Sequence, residues 1–403
     1  MQRLIIFFTG ASLIAVWLYL SLFGRSPVIK PEINKSKSSY ALPDESKLKG
    51  CFPWSIYFLQ SLEYRDDAIV CRGNLRGSTS SAFHLISENI QKAFGDRFLV
   101  LLQSEPRTTN QISDQNSEQE AIRSSFIIVP SFTPQSPFSQ FHHHLVWFSS
   151  VMIGLCPLAL LGLYYQASPL FPLLQAIAPI LIICVVLREL GRRWVANRYK
   201  IKISLPHFMP HFGGVVWCQS HIPNRQALFD LAIAPNLVSL IIGICLVLFG
   251  LMQQPTHLGD LQGNLAVEFN FNASLLMMGL HQISPNSGNF LSPISWAGWW
   301  CLNLTTISLI PVSITDGGYL LRSIFGEGNM AIAIPIMRMI LLGLGLISQP
   351  WLIIVAIALF LLNYSQPTPL DDVTELNLGR ELWGILLLTI ALAVVLPVPE
   401  FLT

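Results

Sequence analysis

The sequence predicts an α-helical integral membrane bundle of about eight transmembrane helices joined to a small α+β soluble domain. Three observations carry that expectation. The 403 residues are 52% hydrophobic and only 12% charged, a balance outside that of soluble domains. Apolar runs long enough to cross a hydrocarbon core of about 30 Å recur along the chain. A single long polar segment, residues 24–140, interrupts them. The net charge of +1 argues against a nucleic-acid binder and against an enzyme of acidic substrates.

Residues 1–23 are expected to be an amino-terminal transmembrane anchor. The run "LIIFFTGASLIAVWLYLSLF" (Leu4 to Phe23) is longer than the apolar region of a signal peptide, and no A-x-A site follows it. Residues 24–140 then supply a linker, "INKSKSSY", and the soluble domain. Within that domain "AIVCRGNLRG", "RFLVLLQS" and "SFIIVPS" read as strands. Between the first two, "SSAFHLISENIQKAFG" reads as a helix ending at Gly95, with Phe83, Ile86, Ile90 and Phe94 on one face to pack against a sheet.

Residues 141–325 are expected to form the membrane core, with spans at 145–165, 171–190, 227–252 and 296–311. Residues 326–403 add carboxy-terminal transmembrane helices at 330–346, 351–362 and 382–397. Two Lys/Arg clusters fix the orientation: Arg25, Lys30, Lys35 and Lys37 after the first span, and Arg192, Arg193, Arg198, Lys200 and Lys202 after the third. The positive-inside rule places both, and the soluble domain, on the cytoplasmic or stromal face. The seven cysteines are odd in number and form no C-x-x-C pair, so they read as buried thiols and not as a disulfide framework.

Chemistry concentrates in two short stretches. In "VLRELGRRW", Arg188 and Arg192 stand where the metalloprotease motif H-E-x-x-H has two histidine ligands, with Glu189 at the position of the base. In "SLIPVSITDGG", Asp316 precedes two glycines. The expected topology brings both stretches to one membrane face.

Together these stretches resemble the site-2 proteases, the intramembrane zinc metalloproteases of peptidase family M50. The likeness covers Leu145 to Phe325 and extends back to Cys51, where "CRGNLRG" and "FGDRF" are similar to the cyanobacterial and chloroplast branch. It implies a metalloprotease-like core containing a re-entrant hairpin in "ISLPHFMPHFGG", with Leu205, Pro206, Phe208, Gly213 and Gly214 receiving a substrate or partner. It also implies that Glu189 is a vestigial base and that Arg188, Arg192 and Asp316 are vestigial metal positions. The family's cofactor is zinc. This chain departs from the pattern at both histidines, at Ser308 where asparagine is expected, and at "APNLVS" where a Gly-Pro-Leu-Ala-Gly type run is usual.

The loss has a physical meaning of its own. A hydrolytic zinc site needs three ligands with lone pairs and an open position for water. Guanidinium offers N–H donors and no lone pair. No cofactor is therefore expected here, and the leading expectation is an inactive pseudoprotease that binds or assembles membrane-protein helices within the lipid bilayer. The alternative is an active protease with non-standard ligands drawn from His207, His211, His221 and His281, although Pro206 and Pro210 interrupt any helix that would align the first two. The consecutive His142, His143 and His144 splay around a helix and read as an interfacial anchor. A transporter with Arg188 and Arg192 lining an anion path is a third class, against which the uniformly apolar spans argue. Macrodipole and topology account for Arg192 and Arg193 at a helix end, but not for Arg188 one turn deeper. The expected arrangement is a charge network of Arg188, Glu189, Arg192 and Asp316, in a multi-pass protein of a cyanobacterial thylakoid or plasma membrane or of a chloroplast membrane.

Overall fold

The computed structural model describes residues 43–65, 68–104, 123–131, 170–205, 207–209, 213–253, 267–284, 290–310, 315–347 and 368–398. The amino-terminal α+β part begins with α1 (Glu45–Gly50), capped by the Asp44 carboxylate, which accepts from the Ser46 amide. Strand β1 (Tyr57–Arg65) pairs antiparallel with β2 (Ala68–Leu75). Helix α2 (Thr79–Phe94) follows and stops at Gly95, whose φ of 66° suits a residue without a Cβ. Strand β3 (Phe98–Ser104) pairs antiparallel with β4 (Arg123–Pro130), and β4 with β2. Ile86 and Ile90 of α2 are buried against Tyr57, Cys71, Leu102, Phe126 and Ile128, while Phe83 and Phe94 pack at the margin. Burial pushes the Cys71 thiol up to about 12, so it stays protonated and serves as packing.

The helical part starts at α3 (Leu170–Arg198). A small hairpin follows, β5 (His207–Met209) against β6 (Gly213–Val215), with Phe208 opposite Gly214. Its stem continues through the Ile203 to Cys218 bridge, and β6 lies against α6 (Pro293–Ser308). Of the expected hairpin residues, Leu205, Phe208, Gly213 and Gly214 fall on this feature, and Pro206 lies outside the described residues. Strand β7 (Ile222–Asn224) runs directly into α4 (Arg225–Met252), and the Asn224 side chain caps the helix by accepting from the Ala227 amide at 2.8 Å. Beyond it come β8 (Val267–Glu268), α5 (Leu275–Ile283), β9 (Phe290–Leu291, paired with β8) and α6. The chain closes with α7 (Asp316–Ile347), broken at Gly326 with φ 70°, then β10 (Pro369–Asp371) and α8 (Leu378–Val395).

The sheet is not confined to residues 24–140. Its order is β1-β2-β4-β3-β10-β7, and β10 pairs parallel with both β3 and β7. Two strands of three residues, contributed by the helical part, thus complete the six-stranded sheet. Because β7 is continuous with α4, the sheet and the central helix share one backbone. The carboxy-terminal end of α3, through the stem at Ile203 and Cys218, meets the same side.

The spans expected at 171–190, 227–252, 296–311, 330–346 and 382–397 fall on described helices, and those at 4–23, 145–165 and 351–362 lie outside the described residues. Among the described residues only α4 and α8 are long and apolar enough to cross a membrane by length and composition, fewer than the eight expected. Helix α6 has 16 residues and ends at Ser308, short of the expected boundary at Pro311. Outward-facing apolar side chains such as Ile182, Ile183, Val186 and Trp194 on α3 call for an apolar cover. The cysteines depart from the expectation in part: Cys51, Cys71, Cys184 and Cys301 are buried free thiols, Cys218 is half-buried and Cys245 is exposed, while Cys156 lies outside the described residues.

Helix α4 is the hub, packed against α3, α6 and α7. It crosses α6 at two glycines. A Cβ on Gly298 would stand 2.7 Å from the Gly243 carbonyl oxygen and 2.7 Å from the Val247 amide nitrogen. Gly298→Ala is therefore expected to cost about 1–3 kcal/mol, because backbone cannot give way as a side chain can. Gly279→Ala, on α5 with nothing within 4 Å of the added carbon, should leave stability unchanged or gain about 0.5–1 kcal/mol from helix propensity. Thermal unfolding of the two variants in the same detergent checks the contrast; equal midpoints would show that the α4 and α6 crossing is loose.

Candidate functional site

Helices α3, α4, α6 and α7 each send polar groups into one buried spot. On α3, Arg188 and Arg192 are a turn apart on one face, so both reach the same neighbour. Gly191 lies between them, and a Cβ there would stand 3.0 Å from the Val238 side chain, so the glycine lets α3 lie close to α4. On α7, Asp316 is the first residue of the helix, where the helix dipole favours a carboxylate. Just ahead of it the Thr315 hydroxyl donates to the Ile310 carbonyl at 2.6 Å. Gly317 is dictated by space, since a Cβ would meet the Leu309 carbonyl carbon at 2.4 Å. The glycine of "TDGG" is thereby explained without reference to a metal.

The structure brings together all four charged residues expected there. Arg192 grips Asp316 with both ends of its fork, Nη1 to Oδ1 at 2.8 Å and Nη2 to Oδ2 at 3.0 Å. Arg188 Nη2 donates to the same Oδ2 at 2.9 Å. Glu189 is held by Arg192: Nη2 donates to Oε1 at 3.5 Å, and Nε lies 3.3 Å from Oε2, near enough for an ion pair but not aligned as a hydrogen bond. Relative exposures of 4% for Arg188, 7% for Glu189, 2% for Arg192 and 3% for Asp316 put the whole cluster out of water. Two guanidiniums face two carboxylates, so its formal charge sums to zero.

Sequence reasoning missed one member. Asn236 on α4, fully buried, donates from Nδ2 to Asp316 Oδ2 at 3.0 Å and to the Ala232 carbonyl at 2.8 Å. Its Oδ1 accepts from the Ser308 hydroxyl and, at 3.5 Å, from Arg188 Nη2. Asn236 lies in "APNLVS" and Ser308 opens "SLIPVSITDGG", both noted only as departures from a family pattern. Read as a pair, an amide and a hydroxyl replacing other residues on two helices were the available signal.

Zinc does not fit this donor set. Both oxygens of Asp316 are already filled by N–H donors at 2.8 to 3.0 Å. A divalent cation brought there would meet two guanidiniums at contact, and neither supplies a lone pair. Among the described residues no three of His, Cys, Asp and Glu converge to hold a metal ion. His281 stacks on Phe271 with centroids 4.1 Å apart, a packing role. His207 lies on β5, and His211 and His142 to His144 are outside the described residues.

Comparison with known proteins points to the family that the two motifs resemble. Residues 176–344 match the family model of Peptidase family M50, and residues 46–134 that of the EGY3 middle domain. The "Probable zinc metalloprotease EGY2, chloroplastic" of Arabidopsis thaliana is 26% identical over 390 residues, 90% of this chain and 66% of the relative. The "Probable zinc metalloprotease EGY1, chloroplastic" of Arabidopsis thaliana is 26% identical over 82% of this chain and 66% of the relative. The rice (Oryza sativa subsp. indica) "Probable zinc metalloprotease EGY3, chloroplastic" is 24% identical over 91% of this chain and 66% of the relative. The chain thus spans a little under two thirds of the length of these relatives. No solved structure matches. Zinc is the cofactor of the family. The chain carries a peptidase M50 (site-2 protease) domain and is a homologue of the chloroplast-branch EGY zinc metalloproteases.

Proposed function

We propose that this protein is a catalytically inactive member of the site-2 protease family, which keeps the helical bundle and hairpin and uses them to bind or assemble membrane-protein partners in a bilayer. The observation that supports this reading is the Arg192 fork on Asp316, joined by Arg188 Nη2 at 2.9 Å. It occupies the place where the family's motifs put a metal. Glu189 is likewise engaged by Arg192, an ion pair that competes with service as a free general base. The two guanidiniums replace the charge of a divalent metal without its coordination chemistry, so the helices can stay packed around a neutral centre. The two membrane-length helices support a membrane protein, and the names of the relatives a chloroplast one.

The test is metal analysis of the purified protein, together with cleavage of a transmembrane reporter peptide in liposomes. Zinc well below one equivalent and an intact reporter are expected. Chelator-sensitive cleavage by the unaltered protein would sink this reading in favour of an active protease with other ligands.

A further inference from the structure

Helix α3 ends in a group of cations that its neighbours do not neutralise. Along its outer face Ile183, Leu187 and Leu190 stand exposed about a turn apart, and Trp194, 66% exposed, continues the stripe. Arg193 and Arg198 flank the tryptophan, and Lys200 and Lys202 follow in the turn; all four cations are exposed. Between residues 170 and 252 the chain has two carboxylates, Glu189 and Asp230. Arg192 holds the first, and the second accepts from the Arg380 fork at 3.0 and 3.2 Å and from the Tyr199 hydroxyl at 2.6 Å. None of the four cations forms a salt bridge among the described residues. The backbone beneath them is fixed. The Ile201 amide donates to the Ala196 carbonyl at 2.8 Å, closing α3 with Lys200 in the left-handed region at φ 56°, the only non-glycine residue there among the described residues. That place ordinarily takes glycine, since a Cβ is strained in it, so the lysine side chain stands there against the preference of the backbone. Lys202 is pinned on both sides: its amide donates to Ser220 Oγ at 2.8 Å, and its carbonyl accepts from the Gln219 amide at 2.7 Å.

We propose that this end of α3 seats the head of an anionic bilayer lipid, with the acyl chains along the apolar stripe, the glycerol region at Trp194 and the charged head among Arg193, Arg198, Lys200 and Lys202. Membrane orientation needs only an excess of cations on one side. It does not ask for unpaired cations on a fixed backbone around an exposed indole, whose amphipathic ring suits the headgroup level. Charge decides the occupant. The carboxy-terminal end of a helix carries about half a negative charge, which would repel an anion; four cations outweigh it, and a neutral head would leave them unmatched. The spacing fits as well. From Trp194 to Arg198 the helix rises ~6 Å, close to the ~5–8 Å of the headgroup layer in each leaflet. The seat rests on the chain lying in a bilayer and is independent of whether a metal is bound or a substrate cleaved.

The experiment places the full-length protein in phosphatidylcholine vesicles with a trace of phosphatidylglycerol that carries a photoreactive diazirine near its glycerol, and maps the cross-linked peptides. A matched phosphatidylcholine probe serves as reference. Labelling of residues 190–203 should be about fivefold higher with the anionic probe, the factor that one basic residue contributes at an anionic surface. Neutralising the seat with Arg193→Gln, Arg198→Gln, Lys200→Gln and Lys202→Gln should bring the ratio to about one. Neutralising as many exposed cations in the α+β part, with Lys47→Gln, Lys49→Gln, Lys92→Gln and Arg97→Gln, should leave it unchanged. Lys200→Gly separates binding from folding: it relaxes the left-handed turn, so the unfolding midpoint should hold or rise while the labelling ratio falls. A ratio of one in the unaltered protein overturns the proposal and leaves the cations to an acidic segment of a partner protein. A ratio kept by the neutralised seat, or lost equally in the α+β control, overturns it too. The measurement on the unaltered protein needs no variant to fold.

Discussion

Asp316→Asn is expected to lower the unfolding free energy by about 3–5 kcal/mol. The side chain keeps its shape, but the charge that two buried guanidiniums share is gone. Arg192 loses a bidentate partner at 2.8 and 3.0 Å, and Arg188 its contact at 2.9 Å. The new amide can accept through one oxygen only, and its NH₂ group points donors at donors. Glu189 still offers one negative charge, so the cluster retains an uncompensated positive charge away from water. The companion variant decides whether charge is the cause. Replacing Arg188 and Arg192 by methionine, Glu189 by leucine and Asp316 by valine removes every charge with apolar side chains nearer the native sizes, and swaps of that kind are often neutral or stabilising. Its midpoint of thermal unfolding should lie above that of Asp316→Asn despite four substitutions against one. An Asp316→Asn protein as stable as the unaltered one would mean that the ion pairs do not hold the bundle together.

The double variant Arg188→His, Arg192→His should bind about one zinc ion per chain, the stoichiometry of a three-ligand site with an open position. The i, i+4 spacing keeps both imidazoles on the face that now reaches Asp316. Histidine is shorter than arginine, and a metal bridging nitrogen and carboxylate oxygen at ~2.0–2.2 Å from each restores part of the lost reach. Charge works the same way. Without the arginines, Glu189 and Asp316 are two buried negative charges, so the metal-free variant should be markedly less stable than the unaltered protein. Zinc should raise its unfolding midpoint and a chelator lower it again. Metal content equal to that of the unaltered protein, with a midpoint indifferent to zinc, would show that the bundle no longer holds a ligand geometry.

Much of the fold was legible because its signals are local. The period of α2 placed Ile86 and Ile90 on the buried face, and long apolar runs located α4 and α8. Strand β1 was missed because "YFLQSLEYR" alternates only loosely and carries polar residues on its open side. It is also the terminal strand of the sheet, with a neighbour on one side only among the described residues. Strands β7 and β10 could not be found at all. Three residues hold no periodicity, and they are strands only because β3 offers an edge and β10 bridges to β7.

The candidate site divides the same way. Arg188, Glu189, Arg192 and Asp316 were each named by residue type and spacing, because a guanidinium in place of a metal ligand is visible in a single line of text. The sequence by itself determined that these side chains cannot make a zinc site and that α3 presents both arginines on one face. It could not say that Arg192 would straddle both oxygens of Asp316 and also pair with Glu189, nor that Asn236 and Ser308 would join the polar shell. Those partners lie on four helices separated by as many as 128 residues. Only tertiary packing, set by the close approach of α3 and α6 to α4 at Gly191, Gly243 and Gly298, decides which buried donor meets which acceptor, because hydrogen bonds and ion pairs of this kind act over a few ångströms and chain position carries no distance.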